Sequence, residues 1–270
     1  MLRSVREALS EDIGTGDITA ALIPEHKMAT ATVISREAAV LCGMAWFNAV
    51  FSELDTGITV NWTMRDGDVL RPGQSLCTLH GAAAMILTGE RTALNFLQTL
   101  SGTATLARQY AEAVNGLAVK VLDTRKTIPG LRQAQKYAVR VGGCHNHRVG
   151  LYDGILIKEN HIASAGSIQH AVQAARRANP GIPIEVEVEN EAQITEALTA
   201  EANILLLDNF TTVALLKAVQ QVGRRAKLEA SGGITLENIR DFAQTGVDYI
   251  SIGALTKNLY SIDLSMRFHF

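Results

Sequence analysis

The stretch IEVEVENEAQITEALTAEANILLLDNF, residues 184–210, decides the fold. Ile184–Val188 and Ile204–Leu207 read as short strands, and Glu191–Ala200 between them has the apolar spacing of a helix. No tight hairpin turn joins the two strands, so the segment reads as strand, crossover helix and parallel strand. The same rhythm recurs from Gly116 onward. Strands are expected at 119–122, 155–157, 184–188, 204–207, 227–230 and 249–252. Helices are expected at 131–141, 168–178, 191–200, 213–222 and 236–244. Six strands fall two short of a closed eightfold barrel. The expected architecture is therefore an open or incomplete α/β barrel, with an open doubly wound sheet as the alternative.

The first hundred residues have a different texture. Residues 29–40 and 57–64 alternate as strands do, and RDGDVLRPGQSLCTL (65–79) reads as two short strands joined by Asp-Gly and Pro-Gly turns. That hairpin resembles half of a biotinyl or lipoyl carrier module, but such modules modify a lysine and none lies between Lys27 and Lys120. A long helix is expected at 84–114, with a junction near Ser101–Gly102. The expected domains are 1–100, with 258–270 packing back on it, and a barrel at 101–257.

Composition narrows the function. The chain has 270 residues, 47% of them hydrophobic, and a net charge of −2, so nucleic acid is not an expected partner. Cys42, Cys77 and Cys144 match no disulfide or metal spacing, which suits a cytoplasmic protein. The start, MLRSVREALSED, lacks the apolar core of a signal peptide, and no apolar run is long enough to span a bilayer.

Charge is segregated locally. Residues 120–161 hold eight Lys or Arg and three carboxylates, whereas 184–208 hold seven carboxylates and no Lys or Arg. Parallel α/β folds place working groups at the C-terminal ends of strands. Those ends read Asp123-Thr124-Arg125-Lys126, Lys158-Glu159-Asn160-His161, Glu185/Glu187/Glu189, Asp208-Asn209, Ser231-Gly232-Gly233 and Gly253-Ala254. The cationic tips suit an anionic substrate. The glycine tips suit a phosphate held by backbone N–H groups, with a helix N-terminus expected after Gly233. His147 beside Arg148 suits hydrogen bonding to an anion, since His145 and His147 have no third metal ligand at suitable spacing. Glu185 is expected to pair with Lys120 or Lys158 inside the barrel, Glu187 to serve function nearer the mouth, and Glu229 to be structural. Arg91 taken alone reads as a surface charge. No Walker A or Rossmann fingerprint is present.

Seven segments together resemble the quinolinate phosphoribosyltransferase family: GERTALNFLQTLSG (89–102), LDTRKTIPGLR (122–132), HNHRVGL (145–151), LIKENHI (156–162), EVEVEN (185–190), LLDNF (206–210) and SIGALT (251–256). The resemblance covers nearly the whole chain. It implies an N-terminal α/β sandwich, a C-terminal open barrel and a homodimer. It also implies transfer of the phosphoribosyl group of phosphoribosyl pyrophosphate (PRPP) to quinolinate with decarboxylation, using magnesium. By resemblance, Arg91, Thr124, Arg125, Lys126, His147, Arg148 and Lys158 hold quinolinate, with Arg91 reaching in from a partner subunit. Lys126, Lys158, Glu187, Asp208, Ser231, Gly232, Gly233, Gly253 and Ala254 hold PRPP. Glu187, Asp208, Lys126 and Lys158 are the catalytic candidates, and Glu187 and Asp208 the candidate magnesium ligands. The alternative is a paralogous phosphoribosyltransferase-like protein of the molybdenum-transport type, acting on another substrate.

Overall fold

A computed structural model describes residues 1–269. In chain order its elements begin with α1 (Leu2–Ile13), β1 (Met28–Ser35), β2 (Ala39–Val40), α2 (Met44–Leu54) and β3 (Thr59–Trp62). Next come β4 (Val69–Leu70), β5 (Ser75–Ala82), α3 (Ala83–Ala113), β6 (Lys120–Leu122) and α4 (Arg132–Val141). They continue with β7 (Ile155–Ile157), α5 (Glu159–Ala165), α6 (Ile168–Ala178), β8 (Ile184–Val188) and α7 (Glu191–Thr199). The last are β9 (Ile204–Asp208), α8 (Thr212–Val222), β10 (Lys227–Ser231), α9 (Ile239–Ala243), β11 (Tyr249–Ser251), α10 (Ala254–Lys257) and β12 (Leu264–His269). No helix among the described residues is long and apolar enough to cross a membrane.

The chain divides into two compact units. Among the described residues, the first comprises 1–108, 127–143 and 256–269. Its antiparallel sheet runs β12-β1-β5-β3, so the C-terminal strand pairs directly with β1. Ala29, Ala31, Val33 and Ser35 alternate inward along β1, as a half-covered strand requires. The strands flanking Pro72–Gly73 do not pair with each other as the turn signals suggested. Instead β4 pairs with β2, and β5 pairs with β1 and β3. The helix α4, expected in the barrel, belongs to this unit because Ala134 and Ala138 are buried in the same core as Trp46, Leu70 and Leu97.

The helix α3 runs unbroken through Ser101–Gly102, the expected junction. Gly102 is needed for a close approach: a Cβ there would overlap the backbone carbonyl of Tyr260. Glycine lets the C-terminal segment lie directly on the helix.

The second unit comprises 109–126 and 144–255. Its six parallel strands run β6-β11-β10-β9-β8-β7, and β6 and β7 are the first and last strands of an open sheet. The central strands are buried on both faces, as parallel strands under helices must be. Ser167, Asn190 and Thr211 each accept the backbone N–H of a first-turn residue and so cap α6, α7 and α8. In register, Glu187 lies beside Leu206 and Leu206 beside Glu229, while Asp208 lies beside Ser231 and Ser231 beside Ser251. With the two-residue alternation of strands, Glu185, Glu187, Asp208, Glu229, Ser231 and Ser251 therefore share one face.

Replacing Gly102 by Ala is expected to force Tyr260 off α3. Overpacking of this kind costs about 1–3 kcal/mol, a fall of several degrees in Tm. An unchanged melting curve for Gly102→Ala would show that the segment docks elsewhere.

Candidate active site

The loop after α4 is tied down by two aspartates. Asp123, at the end of β6 and fully buried, accepts the Asn146 side-chain amide at 2.6 Å and the backbone N–H of His147 at 2.9 Å. These donors satisfy a carboxylate that burial would otherwise penalise. Asp153 accepts the N–H groups of Val149 and Gly150 at 2.7 and 2.8 Å. Between these two anchors stands Arg148, with one guanidinium nitrogen donating to the carbonyl of Gly154 at 3.3 Å.

Arg125, Arg148, Lys158 and His161 line one cavity of about 580 Å³. Burial lowers the Arg148 pKa, and the positive charge of Arg125 lowers it further. Two partly buried cations are thus held near each other, an arrangement that a bound dianion relieves. At the other strand tip, His161 accepts the backbone N–H of Lys158 through Nδ1 at 2.9 Å. The Lys158 ammonium pairs with Glu187. Burial raises the Glu187 pKa and Lys158 opposes this, but the neighbouring charge of Asp208 adds to it, so the net direction is upward. Glu187 and Asp208 form a partly buried pair of hard oxygen ligands, a donor set that could hold a magnesium ion.

The glycine tips adjoin this pair. Asn209 adopts a left-handed φ of 57° and donates its N–H to the Ser231 carbonyl at 2.8 Å. Gly232, at φ 97°, packs so closely on Asn209 that any Cβ would overlap its side-chain amide. At Gly253 a Cβ would press on the Lys126 chain at 3.2 Å, so Lys126 lies over the last tip of the sheet. Thr124 accepts the Lys126 N–H at 3.1 Å. The expected helix start after Gly233 is absent: α9 begins only at Ile239, so any cradle there is loop backbone alone.

His147 faces inward. Its Nε2 is 3.0 Å from Glu185 and 3.6 Å from Glu229, which are 4% and 2% exposed. Glu185 therefore pairs with an imidazole and not with Lys120 or Lys158; Lys158 is engaged by Glu187 one pleat further on. Nδ1 of His147 accepts the backbone N–H of Arg148 at 2.8 Å. Burial depresses the ring's pKa and the two carboxylates more than offset this, drawing the ring toward its charged form. The bond at Nδ1, however, belongs to a neutral ring with its proton on Nε2. Burial, and then the charge of Glu185, push Glu229 up to about 8.

Thr124, Arg125, Lys126, His147, Arg148, Lys158, Glu187, Asp208, Ser231, Gly232, Gly233, Gly253 and Ala254 all lie in the second unit, and of these Arg125, Arg148 and Lys158 share one cavity. Arg91 is exposed on α3 in the first unit. Sequence reasoning gave no individual role to Asp123, Asp153, His161 or Asn209, which hold loops and backbone in place. Their signal was only the place of Asp123, His161 and Asn209 within the strand-end segments.

A family model described as quinolinate phosphoribosyl transferase, N-terminal domain, matches residues 17–101, and its C-terminal-domain counterpart matches 103–267. The chain is 45% identical over 257 residues to a probable nicotinate-nucleotide pyrophosphorylase [carboxylating] of Bacillus subtilis, covering 95% of this chain and 89% of that one. It is 44% identical to the nicotinate-nucleotide pyrophosphorylase [carboxylating] of Mycobacterium leprae, covering 97% of this chain and 95% of that one. The solved nicotinate-nucleotide pyrophosphorylase of Francisella tularensis superposes with a TM-score of 0.95 at 46% identity, covering 99% and 95% of the two chains.

The raised Glu229 has a stability consequence. A carboxyl with a higher pKa in the folded state binds its proton preferentially there, so stability falls as pH rises from about 4.5 to about 8 and then levels off. Removing the titration by Glu229→Gln is expected to flatten this decline in Tm between pH 5 and 8. Parallel Tm profiles for the two proteins would contradict a raised Glu229.

Proposed function

The chain belongs to the quinolinate phosphoribosyl transferase family, and from that premise we propose how its residues divide the family's reaction. The chain transfers the phosphoribosyl group of PRPP to quinolinate, with loss of carbon dioxide, to give nicotinate mononucleotide and pyrophosphate. It is a pentosyltransferase of NAD biosynthesis.

One observation carries the division of labour: Arg125, Arg148 and Lys158 line the same cavity. Quinolinate presents two adjacent carboxylates, and guanidinium groups match carboxylates in charge and in planar two-bond geometry. Arg125 and Arg148 take the dicarboxylate, Thr124 and Lys158 complete its shell, and His147 supports it from the loop. Arg91, exposed on α3, joins the site from the second copy in a homodimer. Ser231, Gly232, Gly233, Gly253 and Ala254 hold the 5′-phosphate through backbone donors, and Lys126, lying over Gly253, neutralises it.

Cleavage of the bond between ribose and pyrophosphate leaves positive charge on the sugar. Glu187 and Asp208, neighbours on β8 and β9, are the carboxylates placed to stabilise it. The same pair would hold magnesium, which supplies neutralising charge for the departing pyrophosphate. Lys158, bonded to Glu187, links the cationic wall to the carboxylate pair. Once the ring nitrogen is ribosylated, its positive charge stabilises the electron pair left on the adjacent carbon when the C–CO₂ bond breaks, and that carbon then takes a proton. The three cysteines are buried and none is in a disulfide among the described residues, in keeping with a cytoplasmic setting.

Arg148→Ala is expected to raise the KM for quinolinate far more than that for PRPP. One charge-assisted hydrogen bond, roughly 1.5–3 kcal/mol, corresponds to about a tenfold to hundredfold loss. Steady-state kinetics with each substrate varied would decide. Equal losses for the two substrates would remove Arg148 from the quinolinate wall.

A further inference from the structure

Behind the basic cavity lies a second one, of about 340 Å³, at the opposite end of the sheet. Its rim includes Lys120, Ile155, Ile204 and Tyr249, the first residues of β6, β7, β9 and β11. Arg148 borders both cavities. Glu185 and Glu229 also line the second, and Oε1 of each is buried without a hydrogen-bond partner. Their other oxygens converge on Nε2 of His147. Two ionised carboxylates on one imidazole would leave uncompensated charge in a dry interior. A single proton on the carboxylate pair removes that penalty.

We propose that Glu229 and Glu185 are positioning residues for the quinolinate site: a proton held on the pair leaves Glu185 to accept Nε2–H of His147, and the ring so oriented holds the backbone N–H of Arg148 at Nδ1. The inference rests on the reading of Arg148 as a quinolinate ligand. The relay runs from β10 to β8 to the loop, and its last bond sets the direction in which Arg148 leaves the backbone. Without Glu185 the ring can rotate or take its proton on Nδ1, and Arg148 loses its acceptor. Glu229, raised to about 8, keeps the proton at neutral pH. The groups facing the pair are His147, Arg148 and Ser251, with Lys120, His145, Asp153 and Tyr249 further along the cavity. Above pH 8 Glu229 ionises beside Glu185, like charge meets like, and the relay loosens.

The test is the pH dependence of KM for each substrate in wild type, Glu229→Gln and Glu229→Leu. Loss of one hydrogen bond in the relay is worth about tenfold. Glu229→Leu should therefore raise the KM for quinolinate by about that factor while leaving the KM for PRPP nearly unmoved. Glu229→Gln, which keeps a donor, should restore most of the loss. Wild type should show a quinolinate KM that climbs above pH 8, and Glu229→Gln should not. Equal changes in both KM values, or the same climb in Glu229→Gln, would overturn the proposal. Nitrogen-15 NMR of the ligand-free protein gives a readout independent of turnover and of the folding of the leucine variant. A neutral His147 protonated at Nε2 is expected, whereas a ring protonated at Nδ1 contradicts the relay. If wild type failed to turn over quinolinate, the functional reading would fall while this NMR result still decided the positioning claim.

Discussion

The second unit is organised around a buried pair of carboxylates, Glu185 and Glu229, brought within reach of a single imidazole nitrogen. Such charges are tolerable in a barrel interior only when protons and hydrogen bonds satisfy them. His147 supplies one donor, and its remaining nitrogen receives the backbone of Arg148. A need for neutrality in the core is thus converted into a fixed position for a cation at the cavity wall. The same device appears at the neighbouring strand, where Nδ1 of His161 receives the backbone of Lys158. In both places a histidine orients the basic residue close to it in sequence.

Outward from that core the sheet sorts charge by depth. Glu185 and Glu229 are buried and tied to the scaffold, while Glu187 and Asp208, nearer the C-terminal ends, are less completely buried. On the proposed reading, the outer pair is the one that meets the cation formed during reaction. The cationic side is layered as well, because Arg125 and Arg148 crowd each other in a shared cavity while Lys126 lies over a glycine tip. A crowded cation pair is poised for a dianion, since binding relieves repulsion in addition to forming hydrogen bonds.

Much of this was legible in the chain. The alternation of short apolar strands with amphipathic helices gives the six-stranded parallel sheet, and α6 and β8 fall at the expected residues because their periodicity is uninterrupted. The charged tips were legible because strand ends are read directly from where the apolar runs stop. What stayed hidden depends on contacts between distant residues. The amphipathic pattern of α4 shows that it has a buried face without showing which core receives it. The close approach of Gly102 to the carbonyl of Tyr260 could not be read, because that partner lies far along the chain. The residues around Pro72–Gly73 carried a hairpin signal, yet β4 and β5 found other partners. His147 read as a direct anion ligand because both ring nitrogens looked available, and only the folded chain brings Glu185 and Glu229 to one of them.

The central claim is that the basic cavity selects a substrate with two adjacent carboxylates. The most direct measurement offers quinolinate and nicotinate separately, each with PRPP and magnesium, and follows nicotinate mononucleotide together with carbon dioxide. Quinolinate should give both products in equal amounts, and nicotinate, which lacks the second carboxylate, should give almost none. Efficient turnover of nicotinate would contradict the account, because a single carboxylate would then suffice to satisfy Arg125 and Arg148.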